Sequence, residues 1–365
     1  MIKAKLSNEI LNLITEINEN KYKTSSIKMP KAVINKFRKN SKRKSSYASN
    51  KIEGNPLTQE QADMALDKDE RKHLLAPEQE IRNYMNALNY LEDKRKSDVK
   101  LSLDLILEVQ KRVCRGNSKE KIGLRTPTPP GVLFAVYDSV TGEPEYIPPE
   151  AKDIRDLIDK LINYINTTDD HPLIVAAIIH YQLVTIHPFE DGNGRCARLL
   201  SGYYLDLNGY GFNGIGSLEE YFAYDVGEYY DSLQMSLPVV YYEGRDNPAH
   251  PEIWIVYFLR MVLLYSSKVA EIASQSQNRN IEAGLSYLNT NQKALLKFII
   301  KAGYSEFKPI EISNNLSCTN RTVINRLKGL CENGFVEPIL VNERICSYKV
   351  SDFTKSNSKQ ILKHL

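Results

Sequence analysis

One run of twelve residues constrains this chain more than any other: His187-Pro188-Phe189-Glu190-Asp191-Gly192-Asn193-Gly194-Arg195-Cys196-Ala197-Arg198. An apolar helix over 173–186 ends there and a loop brings a histidine and a carboxylate close together. Two glycines then flank an asparagine just before a second helix, 195–207, opens with two arginines. The first turn of a helix has free N–H groups and the positive end of the helix dipole, and glycine lets an anion approach the backbone. The run is therefore built for a polyphosphate. Arg195 and Arg198, three apart, lie on neighbouring faces of that turn and can fork phosphate oxygens. Asp191 is a hard oxygen ligand suited to Mg²⁺, which takes one or two carboxylates and completes its shell with phosphates and water. His187, titrating near neutrality, can accept a proton from an attacking hydroxyl.

Elsewhere the pattern is mostly helical. Apolar positions recur every three to four residues over 8–20, 79–94, 101–115, 154–166 and 253–272, which predicts amphipathic helices. The basic, Ser-rich stretch up to Ser46 reads as a tether or exposed arm. Between Arg125 and Pro149 the pattern changes. Residues 132–137 are β-prone, 138–143 include Gly142 and supply a turn, and Tyr146-Ile147 precedes Pro148-Pro149, together predicting a hairpin. His180 in its apolar helix reads as a core residue, and Cys196 as packing.

The tail has its own logic. Helices are expected over 291–302, over 310–316 behind Pro309, and over 319–332, closed by Asn333-Gly334. Ser317-Cys318 supplies a turn, and 335–337 and 345–350 alternate like two short strands around Asn342-Glu343-Arg344. That order is the layout of a winged helix-turn-helix. Its third helix would offer Asn320, Arg321, Asn325, Arg326 and Lys328 to a major groove or to phosphates, a DNA contact through 319–332. A small domain used for protein contacts or for homodimerisation fits the same layout.

The run 187–198 resembles the signature of the Fic (filamentation induced by cAMP) family, His-Pro-Phe-x-[Asp/Glu]-Gly-Asn-Gly-Arg-x-x-Arg, with every defined position filled. At average residue usage, a chance match in a chain this long has a probability on the order of 10⁻⁹. The resemblance covers roughly residues 45–240 and implies a mainly α fold, a helical core with a β-hairpin flap. It also implies transfer of AMP from ATP to a Ser, Thr or Tyr hydroxyl of a protein. In that reading His187 is the general base and Asp191 the Mg²⁺ ligand. Gly192, Asn193 and Gly194 are the phosphate cradle, Arg195 and Arg198 grip the β- and γ-phosphates, and Phe189 anchors the loop. The flap, 125–149, would hold a segment of the protein substrate along 132–147 by main-chain pairing. Tyr229-Tyr230 resembles the family's tyrosine pair near adenine, with Tyr230 favoured.

Upstream, Ser49-Asn50-Lys51-Ile52-Glu53-Gly54 resembles the family's inhibitory pattern [Ser/Thr]-x-x-x-Glu-[Gly/Asn]. Alone it is weak, with about 0.3 matches expected by chance at average composition. Beside a complete Fic signature it implies that Glu53 pairs with Arg198 and takes the arginine meant for the γ-phosphate. The expected domains are a helical arm over 1–78 with an inhibitory helix near 45–55, a catalytic core over 79–287 and a winged helix over 288–365. The leading reading is an adenylyltransferase autoinhibited by Glu53 and capable of self-modification. Removal of AMP, another nucleotidyl or phosphoryl transfer, and a nucleotide-sensing DNA-binding regulator stand as alternatives.

Composition narrows the setting. The net charge of +3 hides an asymmetry: 1–50 carry +9, 288–365 carry +6, and the middle carries −12, a cue to anionic partners at the ends. The five cysteines form no Cys-x-x-Cys pair, no apolar run of membrane-spanning length is read, and the N-terminus turns polar at once. A reduced, cytoplasmic protein without a membrane partner is expected. No His-Glu-x-x-His, Walker A or Gly-x-Gly-x-x-Gly element occurs, which argues against zincins, P-loop enzymes and Rossmann folds.

Overall fold

The computed structural model describes residues 6–27, 31–69, 74–116, 122–138, 141–316, 318–341 and 344–365. It follows the helical reading closely where apolar periodicity carried it. The chain begins with α1 (Asn8–Ser26), α2 (Lys31–Ile52), α3 (Gln59–Asp67), α4 (Ala76–Lys96) and α5 (Leu103–Val113). The hairpin β1 (Val136–Tyr137) and β2 (Pro144–Tyr146) comes next, then α6 (Ile154–Thr167), α7 (Pro172–Ile186) and α8 (Asn193–Leu207). After the short α9 (Glu219–Phe222) and α10 (Val226–Gln234) runs the long α11 (Glu252–Ser286).

Two compact units divide the chain. The first comprises Met1–Tyr22 and Lys31–Val269, the second Lys23–Pro30 and Ala270–Leu365. The division falls earlier than the boundary expected at 287, because α11 runs through it and its Ile281 and Leu285 lie in the core of the tail.

In the first unit α7 is the organising element. It is apolar on every side, and a helix apolar all round must be buried all round. Every residue from Leu173 through Ile186 is buried except Val184. Pro172 opens it where its missing N–H costs nothing. α6 and α8 pack on it and α4 and α5 join the same core, with Tyr84, Ile106, Ile158 and Leu200 among the fully buried contributors.

Three expectations are corrected here. The basic, Ser-rich stretch is a helix, α2, and no tether. Its apolar positions are too sparse to show a helical period. It docks instead through hydroxyls four residues apart: Ser41, Ser45 and Ser49 are all buried. Ser41 Oγ accepts the Gly216 N–H at 2.7 Å, and Ser45 Oγ donates to the buried Glu219 carboxylate at 2.7 Å. Glu219 also accepts from Tyr84 of α4, at 2.9 Å, and from Ser217, at 3.1 Å. Secondly, Glu252–Gln275 of α11 is long and apolar enough to cross a bilayer. The sequence reading missed this because it weighed uninterrupted runs only. Trp254, Phe258 and Val262 are nevertheless fully buried in the first unit, the behaviour of a core helix. Thirdly, the hairpin is shorter than expected. Val136 pairs with Tyr146, whereas 132–135 hold no strand, and residues 139–140 of the expected turn lie outside the described residues.

The second unit contains α12 (Thr290–Lys301), β3 (Glu306–Phe307), α13 (Pro309–Asn315), α14 (Asn320–Glu332), β4 (Val336–Val341) and β5 (Arg344–Val350). Two further helices that the sequence reading did not include, α15 (Asp352–Ser356) and α16 (Ser358–His364), follow. The sheet is antiparallel in the order β3-β5-β4, one strand more than expected. Ser317 of the expected turn, and Asn342 and Glu343 between the strands, lie outside the described residues. Leu296, Val323, Leu327, Leu330 and Phe335 form the fully buried centre.

Candidate active site

The site is made where α7 stops and α8 starts. His187 ends α7 in a left-handed conformation, φ 49° and ψ 58°. L-residues avoid that region, and a residue before proline is pushed towards extended backbone, so the surroundings must hold it. Its N–H still reaches Leu183 O, at 3.2 Å, and its Nδ1 lies 3.2 Å from Val184 O. A carbonyl can only accept, so Nδ1 carries the proton and the lone pair of neutral His187 is on Nε2. Burial pushes the imidazole down to about 4; the Arg125 cation adds to that shift while the Glu53 and Asp191 carboxylates oppose it. The expectation of a group titrating near neutrality is thereby corrected: His187 is neutral at pH 7 and ready to accept a proton.

The loop between the helices is locked by its own side chains. Phe189 is fully buried. Asn193 Oδ1 accepts the Phe189 N–H at 3.0 Å, and its Nδ2 donates to Phe189 O at 2.9 Å. Both ends of this amide are therefore spent on the loop, leaving the Asn193 backbone to face an anion. Gly192 sits at φ 86°, and a Cβ there would meet Cys114 Sγ at 3.0 Å. The Asp191 carbonyl accepts from Gln110 Nε2 at 3.3 Å, which ties the loop to α5. Cys196 is fully buried with its thiol pushed up by desolvation, so it packs and does not react.

The start of α8 is an anion seat, and a carboxylate occupies it. A Cβ built on Gly194 would lie 2.4 Å from Glu53 Oε1 and 3.2 Å from Arg198 Nη1. Glu53 Oε1 accepts from Arg198 Nη2 at 2.6 Å. Arg198 is further held by Ser49, through Oγ at 2.8 Å and the carbonyl at 3.0 Å, and by the Tyr229 hydroxyl at 3.3 Å. Arg195 donates to Asp191 Oδ1 at 2.7 Å, while its buried Nε has no hydrogen-bond partner among the described residues.

The tyrosine pair separates into two roles. Tyr229 is fully buried between Arg198 and His180, so its ring cannot face a ligand. Tyr230 is 39% exposed, and its hydroxyl reaches Ile52 O at 3.4 Å. His180 is the core residue the sequence suggested, and it is also a link. Ser201 Oγ gives its proton to Ala197 O at 2.7 Å and so accepts from His180 Nδ1 at 3.3 Å. His180 Nε2 then accepts from the Tyr229 hydroxyl at 2.9 Å, whose oxygen accepts from Arg198. Sequence reading missed this chain, as it missed Glu219 and Arg125, because each partner is distant along the chain.

The residues fit a Mg²⁺-nucleotide. An unpartnered guanidinium nitrogen, a glycine whose side chain would fill the seat, and a partly exposed Asp191 carboxylate converge there. Among the described residues no cluster of three metal-ligating side chains exists. A metal would thus take Asp191 and complete its shell from phosphate oxygens and water, as Mg²⁺ commonly does.

The profile of the Fic/DOC family matches residues 100–205. That stretch, which contains the run 187–198, is similar to a Fic domain. Over 173 residues it is 33% identical to the protein adenylyltransferase fic-1 of Caenorhabditis elegans, covering 45% of this chain and 32% of that one. Over 209 residues it is 28% identical to the protein adenylyltransferase Fic of Drosophila grimshawi, covering 54% and 40%. The chain thus spans about a third to two fifths of the length of these relatives. The fold of a Fic family protein from Desulfovibrio desulfuricans G20 superimposes with a TM-score of 0.60 at 22% identity, covering 96% of this chain and 98% of that one. The Caenorhabditis elegans Fic-1 fragment superimposes at 0.52 and 21% identity, covering 73% and 71%.

Proposed function

We propose that this protein transfers AMP from ATP to a hydroxyl of a protein side chain, and that Glu53 holds the transfer in check. The observation that carries the reading is a carboxylate lodged in an anion seat beside a neutral histidine. A γ-phosphate has the same charge sign and the same taste for the first turn of α8 and for Arg198. With Glu53 withdrawn, the backbone N–H groups at 193–195, Arg195 and Arg198 would receive the phosphate chain. Bound Mg²⁺ on Asp191 would neutralise charge on those phosphates. His187 Nε2 takes the proton of the attacking hydroxyl, the hydroxyl oxygen bonds to the α-phosphorus, and the bond to the β-phosphate breaks with pyrophosphate leaving. Positioning and charge stabilisation account for such transfers, with little covalent help from the protein. The flap offers the short β1–β2 edge to an extended segment of the protein substrate, and Tyr230 is the exposed ring for adenine. Self-modification follows from the same chemistry wherever a hydroxyl of the chain reaches the site.

The experiment is label transfer from ATP carrying the label at the α- or the γ-phosphate, with UTP and GTP as competitors. Retention of the α-label alone supports AMP transfer. Retention of the γ-label would show phosphoryl transfer instead.

A second property belongs to the tail. α14 buries Val323, Leu327 and Leu330 and turns Arg321, Asn325 and Lys328 to solvent, and none of its cations is ion-paired among the described residues. We infer a winged helix that binds duplex DNA through this face. Arg321→Ala with Arg326→Ala is expected to weaken retention on duplex DNA and to flatten its salt dependence by about one unit of slope for each phosphate no longer neutralised. A wild-type chain that duplex DNA does not retain at low salt would assign the face to protein contacts.

A further inference from the structure

Arg125 stands outside the signature, yet it touches the catalytic loop and both sides of the flap. Its Nε donates to His187 O at 2.9 Å, and its backbone N–H donates to Pro188 O at 2.8 Å. Its Nη2 donates to Pro149 O, where the flap returns to the helical core. The guanidinium lies 4.5 Å from the centre of the Phe134 ring, and that ring lies 6.1 Å from the imidazole of His187. Only 7% of the residue is exposed, and among the described residues no carboxylate pairs with it. A buried cation without a counter-ion is costly and is kept only where its donors are well used.

These contacts explain how the disfavoured backbone of His187 is held. The left-handed turn aims two successive carbonyls, those of His187 and Pro188, at one residue, and Arg125 answers both. The same side chain reaches Phe134 and Pro149, so the histidine and the hairpin that would present a target share one anchor.

We propose that Arg125 is the positioning residue that fixes His187 in its reactive conformation and couples the flap to it. The proposal rests on the reading of His187 as the proton acceptor, so its test has an arm that needs no activity. In the Glu53→Gly background, Arg125→Met is expected to lower kcat for AMP transfer roughly 10–100-fold while KM for ATP stays in place. Arg125→Lys, which keeps the charge and the backbone bond to Pro188 O but cannot bridge the His187 and Pro149 carbonyls, should fall between.

Independently, the imidazole signals are titrated by NMR, with His187→Ala to assign the signal of His187. The charged groups acting on that ring are Glu53, Asp191 and Arg125. In Arg125→Met a freed and hydrated His187 should titrate upward from about 4 towards its ordinary value of 6.5. The other histidines should hardly move. Unchanged titration of His187 in Arg125→Met overturns the proposal, as does an unchanged kcat in an active parent. If the Glu53→Gly parent transfers no nucleotide, the adenylylation reading falls, and the titration still decides the role of Arg125.

Discussion

Glu53→Gly is expected to raise label transfer from α-labelled ATP, onto target or onto the chain itself, by well over tenfold. The carboxylate sits 2.6 Å from Arg198 Nη2, on a side chain that is 1% exposed. The Glu53 side chain is 31% exposed, so the place is partly desolvated; there the attraction between opposite charges amounts to several kcal/mol at intermediate dielectric, and each ~1.4 kcal/mol released at the barrier is a factor of ten. Removing Glu53 does not set Arg198 adrift, because both oxygens of Ser49 and the Tyr229 hydroxyl still hold it. The substitution falls one residue beyond the end of α2, where the backbone tolerates glycine, so any loss of stability comes from leaving the buried Arg198 guanidinium without its carboxylate. The gain should vanish in Glu53→Gly with Arg198→Ala, since the freed arginine is what receives the phosphate. A Glu53→Gly protein no faster than wild type would reduce the Ser49-to-Gly54 pattern to a chance match.

His187→Ala in the activated background should lower transfer by about 10²–10⁴-fold, the usual contribution of a positioned general base, while ATP binding by calorimetry is preserved. The pH profile adds a second reading. A base pushed down to about 4 is already neutral at every pH well above that value. kcat/KM should therefore stay level between pH 6 and 8 as far as this group is concerned and fall only as the pH drops towards about 4. An acid limb near 6.5 in the free enzyme would mean that desolvation does not depress the imidazole. Undiminished transfer by His187→Ala would end its assignment as the base.

The site was legible in the sequence to the extent that it is local. The residues 187–198 build their own loop: glycine at φ 86°, an asparagine closing on Phe189, and a carboxylate one helical turn before Arg195. Helices with an apolar stripe, from α4 to α8, were legible for the same reason. What escaped was held by polar contacts between distant segments. α2 has a period, but it is written in serines at 41, 45 and 49 and ends on Glu53, so a search for apolar recurrence passes over it. The signal was available in the inhibitory pattern, whose Ser-x-x-x-Glu spacing extends two steps further back. Arg125 lies sixty-two residues before His187, and no spacing rule links an arginine to two carbonyls. Tyr230 was favoured over Tyr229 by resemblance alone, and the side of α10 that meets Arg198 supplies the physical reason.

The hydroxyl seam of α2 also bears on how inhibition responds to temperature. Heat capacity rises when apolar surface meets water and falls when polar surface does. Lifting α2 would uncover Ala48 and Ile52 together with Ser41, Ser45, Ser49, Arg198 and Glu219, so the two contributions oppose each other. The released fraction should then follow a nearly straight van 't Hoff line, free of the curvature that marks the undocking of an apolar helix.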